Sequence, residues 1–237
     1  MQKQPATTYP MRINQYLARQ GYSTRRGADE LVSKGKVFIN GRQAVLGDKV
    51  NEKDAVEVRK TFAKTYKYFA YNKPKGVATH ASNADEEDIE DNVGRELGVF
   101  PVGRLDKDSY GLIILTNDGR ITDRLLNPEK AHEKEYAVKT REKLRDSFEK
   151  HMEAGVDIGG YVTKPAKVKV TSDFAFSITL TEGKKHQIRR MVDTLHNQTA
   201  DLKRVRIMNI ELGSLKANQY RPIEGEELKT FLKNLGL

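Results

Sequence analysis

The chain contains no cysteine, which excludes disulfides and thiolate zinc sites outright. No apolar run approaches the length of a membrane span, and residues 1–10 lack the apolar core of a signal peptide. The five histidines are scattered without metal-ligand spacing. The glycines form neither a dinucleotide fingerprint nor a phosphate loop, and there is no internal repeat or low-complexity segment. A cytoplasmic protein with no metal, no cofactor and no membrane partner is therefore expected.

What the chain does have is positive charge, unevenly placed. The net charge of +9 favours a polyanionic partner such as nucleic acid. Residues 1–66 hold 13 Lys+Arg against 6 Asp+Glu, leaving 29 against 27 for the other 171 residues. Much of that downstream balance comes from Asp85-Glu86-Glu87-Asp88-Ile89-Glu90-Asp91, which reads as a solvated surface loop.

A chain of 237 residues suits one large domain or two modest ones. Residues 1–10 read as a flexible leader. Ile13, Tyr16 and Leu17 then fall at helical spacing, with Gly21 as a stop. Ser23 or Thr24 opens a second helix that places Ala28, Leu31 and Val32 on one face and ends at Gly35. Val37-Phe38-Ile39, the Asn40-Gly41 turn pair and Val56-Glu57-Val58 predict a small β-ribbon. Two helices plus a ribbon over residues 11–60 make a compact module. Arg12, Arg19, Arg25, Arg26, Lys34, Lys36 and Arg42 occupy its polar positions, either as an RNA-binding surface or as a plain solvated face. Residues 61–66 read as a linker.

Strands dominate residues 67–237, with helices interspersed and few βαβ spacings, which predicts an α+β domain on a mostly antiparallel sheet. A strand from Lys67 is stopped by Asn72-Lys73-Pro74-Lys75-Gly76. Helices are expected from Lys143 to Met152, from Glu182 onward with Ile188, Met191, Val192 and Leu195 as the core face, and from Gly225 to Leu235. Between these lies Gly103-Arg104-Leu105-Asp106-Lys107-Asp108-Ser109-Tyr110-Gly111-Leu112, running on through Ile113-Ile114-Leu115 to Thr116-Asn117-Asp118-Gly119. It places the Asp106 carboxylate in a glycine-bracketed polar loop just ahead of a buried strand, where it either caps a turn or is presented for chemistry.

The spelling of this segment resembles the catalytic signature of the RsuA/RluB/RluE/RluF family of pseudouridine synthases. Ser109 stands where most members carry Thr, a variant most like the RluF branch. The N-terminal module resembles the alpha-L RNA-binding domain. Gly27 stands where relatives often have Glu, so a capping box is absent there.

The resemblance implies Asp106 as the catalytic nucleophile or base. Attack on the sugar, attack on the base and removal of the ribose 2′ proton are all open to it. Arg189, in Gln187-Ile188-Arg189, is expected to pair with Asp106 and hold it charged. Tyr136, in Lys134-Glu135-Tyr136, is expected to stack on the target base. Arg104 would hold the flipped nucleotide's phosphate or wedge open the stack. RNA contacts are expected from Lys73, His186 and Arg190, with a helix-start hydrogen bond as an alternative for His186, which replaces the Arg of many relatives.

The implied activity is isomerisation of a uridine in 23S rRNA or a pre-ribosomal particle by a monomer, with a tRNA anticodon loop as a second target. A catalytically inactive RNA-binding or ribosome-assembly factor is the alternative, opposed by the intact set of Asp106, Tyr136 and Arg189. A glycosidase is weaker still, because it usually needs two catalytic carboxylates.

Overall fold

The computed structural model describes residues 9–59, 65–81 and 87–237, with the side chains of Glu90 and Asn92 left out. Leader residues 1–8, linker residues 61–64 and the first part of the acidic cluster, Asp85 and Glu86, lie outside the described residues. The chain divides into two compact units, one of residues 1–66 with 118–120 and the other of residues 67–117 with 121–237.

In the N-terminal unit, β1 (Met11–Arg12) leads into α1 (Ile13–Arg19), followed by α2 (Arg25–Ser33), β2 (Val37–Ile39), β3 (Arg42–Gln43), β4 (Lys49–Val50) and β5 (Val56–Val58). Thr24 caps α2 by accepting the Gly27 N–H at 3.1 Å, so the helix keeps an N-cap bond without a capping-box Glu. Asn40 and Gly41 both take positive φ, +51° and +79°, the mirror-image turn that lets β2 fold back on β3. Ile13, Leu17, Ala28, Val32, Val37, Ile39 and Val50 form the core, which matches the periodicity of the sequence.

The second unit is built on one nine-stranded sheet. Its elements are β6 (Tyr68–Lys73), a π-turn (Glu90–Gly94) running into α3 (Arg95–Leu97), β7 (Phe100–Val102), β8 (Tyr110–Thr116), α4 (Arg120–Leu126) and β9 (Lys134–Thr140). They continue with α5 (Phe148–Ala154), β10 (Lys167–Ser172), β11 (Ala175–Leu180), α6 (Gln187–Thr194), β12 (Thr199–Ile207), β13 (Ile210–Glu211), β14 (Tyr220–Pro222) and α7 (Gly225–Asn234). The order is β10-β11-β9-β12-β8-β6-β14, with β13 beside β12 and β7 beside β8. Every pairing is antiparallel except β8 with β12, so the expected mostly antiparallel α+β domain is what forms. Among the described residues no helix is long and apolar enough to cross a membrane.

Away from the site, two elements depart from expectation. Residues 143–147 are not helical: the Leu144 N–H bonds the Asp173 carbonyl at 2.7 Å and its side chain is buried in the core, which delays α5 until Phe148. The acidic cluster is more than a loop. Asp88 accepts the N–H of Ala81 at 2.9 Å and of Asp91 at 3.0 Å, and Ile89 is fully buried.

Gly111 explains how β8 and β12 approach each other closely. It lies at φ +106°, and a Cβ there would stand 2.3 Å from the Arg204 carbonyl oxygen. The strand that follows the Asp106 loop is thereby locked beside the strand that carries Arg204.

Candidate active site

Asp106 sits on the loop between β7 and β8, whose backbone is fixed from below by buried polar groups. Thr79 (3% exposed) donates to the Leu105 carbonyl at 2.7 Å and accepts the Leu105 N–H at 2.9 Å. The Lys73 ammonium donates to the carbonyls of Val77 (2.6 Å), Pro74 (2.9 Å) and Lys107 (3.5 Å), while the Gly76 N–H donates to the same Lys107 carbonyl at 2.8 Å. Lys73 is 0% exposed, so it is not the RNA-surface residue expected from sequence. Burial pushes its pKa down to about 8, opposed by the nearby negative charge of Asp106.

The Asp106 side chain remains 38% exposed, and its Oδ2 lies 3.1 Å from His186 Nδ1. His186 precedes α6 in the left-handed region (φ +52°) and makes no side-chain cap bond to that helix, so the helix-start role is corrected to contact with Asp106. The segment leading to it is pinned by Glu182, a buried carboxylate that accepts from the Tyr161 hydroxyl (2.6 Å), the Gln187 side-chain amide (2.8 Å) and the Lys164 N–H (3.0 Å). Burial pushes the Glu182 carboxyl up, but these hydrogen bonds together outweigh it and hold the pKa below the ordinary value. The helix expected from Glu182 starts only at Gln187 because residues 182–186 form this bonded loop.

Asp106, Tyr136 and His186 open into one cavity of about 730 Å³, together with Lys134, Arg204 and Leu180. Tyr136 is half-buried on β9, opposite Arg204 in the register with β12. The expected ion pair between Arg189 and Asp106 is absent. The Arg189 guanidinium instead reaches the Asp108 carbonyl and the Ser109 hydroxyl, each at 3.4 Å, and faces a separate hollow of about 560 Å³ lined also by Arg141, His196 and Thr199. It braces the turn two residues past Asp106 rather than the carboxylate itself. Arg190, half-buried, lies against the Gly159 turn, and Arg104 is exposed at the rim of the cavity that holds Asp106. In the N-terminal unit Arg12, Arg19, Arg25, Arg26, Lys34, Lys36 and Arg42 are all exposed. Lys34 pairs with Glu30 at 2.6 Å and Arg42 with Asp48 at 2.9 Å.

Four groups of this centre were not singled out from sequence: Thr79, Lys134, Glu182 and Arg204. Arg204 is 3% exposed and donates Nε–H to the Leu112 carbonyl at 2.7 Å and Nη1–H to the Arg104 carbonyl at 3.3 Å. The signal for it was present in β12, where Leu202 sets the inward parity and Arg204 follows two residues later on the same face. An Arg on the core side of a strand is a buried cation with a task.

Residues 67–194 match the RNA pseudouridylate synthase family, and residues 11–56 match the S4 domain. The chain belongs to the RNA pseudouridylate synthase family. It is 39% identical over 228 residues to the dual-specificity RNA pseudouridine synthase RluF of Escherichia coli (strain K12), covering 94% of this chain and 79% of that protein. Ribosomal large subunit pseudouridine synthase B of Bacillus subtilis (strain 168) is 30% identical over 229 residues, covering 92% and 94% of the two chains. A crystal structure of a pseudouridylate synthase superposes with a TM-score of 0.69 at 28% identity, covering 95% of this chain and 99% of that one.

As a pseudouridine synthase the enzyme is an isomerase acting on RNA. The uridine C1′–N1 bond breaks, the base turns over, C5 bonds to C1′, the C5 proton leaves and N1 is protonated. No atom or electron is gained overall, so the demands on the protein are placement, charge and a pocket for the detached base.

Proposed function

We propose that this synthase isomerises a uridine of 23S rRNA, presented in a structured element and flipped into the Asp106 cavity, and that a tRNA anticodon loop is a second substrate. One observation carries the site assignment: a half-exposed carboxylate and an aromatic ring open into the same cavity, which is large enough for an extruded nucleotide. Asp106 is the nucleophile or base, Tyr136 the platform on which the flipped base stacks, and Arg189 a positioning residue for the 108–109 turn. The rRNA reading is supported by the relative named for the ribosomal large subunit, and the second substrate by the relative named as dual-specificity. Arg104 at the cavity rim meets the flipped nucleotide's phosphate. The exposed cations of the S4-like module, Arg25 and Arg26 among them, supply sequence-independent affinity. The enzyme acts as a monomer in the cytoplasm, where its RNA substrates are made.

The test is to map pseudouridine in total RNA from cells with and without the gene. The expected result is a site in 23S rRNA, and one in a tRNA anticodon loop, present only with the protein. An unchanged map in both RNAs would contradict the target assignment.

A further inference from the structure

The cavity that holds Asp106 contains more interior positive charge than its own groups satisfy. Lys134 and Tyr136 lie two residues apart on β9, on one face of the strand, and both line the cavity. Among the described residues the one hydrogen bond of the Lys134 ammonium is to the His132 carbonyl at 3.5 Å, the outer limit for such a bond. The neighbouring carboxylates do not serve it. Glu135 is taken by Arg206 at 2.8 Å, and Glu133 by Lys167 at 2.7 Å and Arg206 at 3.1 Å. Arg204, also lining the cavity, keeps its buried Nη2 without a hydrogen-bond partner. The Asp106 carboxylate in the same cavity is engaged by His186. A buried donor such as this Nη2 costs free energy unless a partner arrives, and the half-buried Lys134 ammonium beside it is poorly satisfied too.

Two chemistries could supply that partner, a backbone phosphate or negative charge on the base. The rim already has exposed cations for phosphate in Arg104, Lys107, Lys184 and Lys185. Lys134 is instead half-buried, on the same face of β9 as Tyr136. We propose that Lys134 is a catalytic residue whose ammonium, backed by Arg204, binds a carbonyl oxygen of the flipped uracil and stabilises the negative charge the base carries while it is detached. The inference rests on the reading of this cavity as the uridine pocket. When the C1′–N1 bond breaks, its electron pair stays on uracil and spreads over N1, O2 and O4. When C5 attacks C1′, the pair forms the C5–C1′ bond and the base is neutral again, and transfer of the C5 proton to N1 then completes pseudouridine. A cation that meets the anion more strongly than the neutral base on either side lowers both barriers.

Burial, reinforced by the positive charge of Arg204, brings the Lys134 pKa down to about 8. Of the charged and titratable groups lining the cavity, Arg204 on β12 acts directly on Lys134; the others are His80, Arg104, Asp106 and Lys107, then Glu182, Lys184, Lys185 and His186 from the segment before α6, and Tyr136 on its own strand. Lys134 is charged at neutral pH and loses its charge above about pH 8, and the turnover rate should fall with it.

The experiment measures single-turnover pseudouridine formation and RNA affinity for the full-length wild-type protein and for Lys134→Met, Lys134→Arg and Asp106→Asn. Thermal unfolding confirms that each is folded. Lys134→Met is expected to lose about 10²-fold in rate, the size seen for one oxyanion donor, with affinity within about 3-fold of wild type. Lys134→Arg is expected to keep more than about a tenth of the rate and to move the alkaline limb upward by at least about one pH unit, since guanidinium stays charged. A wild-type rate in Lys134→Met, a loss that lies wholly in RNA affinity, or an alkaline limb left in place by Lys134→Arg would each overturn the inference. Full turnover in Asp106→Asn would instead refute the reading of the cavity itself, which separates the two failures.

Discussion

Replacing Thr79 by Val tests whether the Asp106 loop is held from below in the way the hydrogen bonds indicate. The substitution keeps the side-chain shape but removes the hydroxyl that donates to the Leu105 carbonyl at 2.7 Å and accepts the Leu105 N–H at 2.9 Å. Thr79 is 3% exposed and Leu105 is itself buried, so water cannot replace either bond without opening the loop. Each buried group left unpaired costs about 1–3 kcal/mol, and partial relaxation puts the total near 2–4 kcal/mol. Against a typical stability of about 5–15 kcal/mol the protein stays folded, so the effect is measurable by urea denaturation as a lower midpoint with an unchanged slope. The loop is one residue from Asp106, and a misplacement of about 1 Å costs up to about 10²-fold in rate. A 10- to 100-fold loss of kcat with unchanged RNA affinity is therefore expected, by the same estimate. Thr79→Ser, which retains the hydroxyl, should recover most of both. A Thr79→Val protein with wild-type midpoint and wild-type kcat would refute this account of how the carboxylate is positioned.

Gly111→Ala places a Cβ 2.3 Å from the Arg204 carbonyl at φ +106°, so thermal or urea unfolding should show a loss of about 3 kcal/mol or more; a loss below about 0.5 kcal/mol would mean that β8 and β12 are not this close. Lys73, with a native pKa of about 8 against an unfolded value of about 10.4, leaves the unfolded chain holding more protons between those values, so stability rises with pH across that window by up to about 1.4 kcal/mol per pH unit. Burial holds the Tyr71 phenol up at about 12, so above pH 10 the native state holds the extra proton and stability falls again; urea midpoints from pH 7 to 11 should trace this rise and fall, and a flat profile would contradict it. Arg25→Ala and Arg26→Ala should each lower the slope of log affinity against log salt by about 1, while leaving single-turnover rates on saturating RNA unchanged; an unaltered slope would remove these exposed cations from the RNA surface.

Much of the fold was legible because local chemistry and burial agree. Thr24 and Gly35 bound α2 where the sequence places its ends, Asn40-Gly41 makes its turn, and the apolar run Leu112 to Leu115 is a fully buried strand. The Leu144 region misled because its apolar spacing serves core contacts without a helix. At the site, motif spelling found Asp106 and Tyr136, which do share a cavity. Partners were harder to read than positions. Lys73 looks like a surface cation beside a Pro-Gly turn, yet three carbonyls converge on its ammonium from residues up to 34 positions apart. Arg189 falls at the expected place in its motif but reaches the 108–109 backbone, leaving His186 beside the carboxylate. No single-sequence signal fixes whether His186 or Arg189 meets a carboxylate 80 residues away. Such contacts are set by the register of β9, β12 and α6, not by composition.

The central proposal is that the Asp106 carboxylate is the nucleophile or base of the reaction, while RNA affinity comes mainly from groups elsewhere. Single-turnover pseudouridine formation by Asp106→Asn, measured beside its RNA affinity, tests it most directly. The expected result is no detectable product, with affinity within about 3-fold of wild type, because phosphate contacts elsewhere carry the binding. Full turnover by the Asn variant would contradict it.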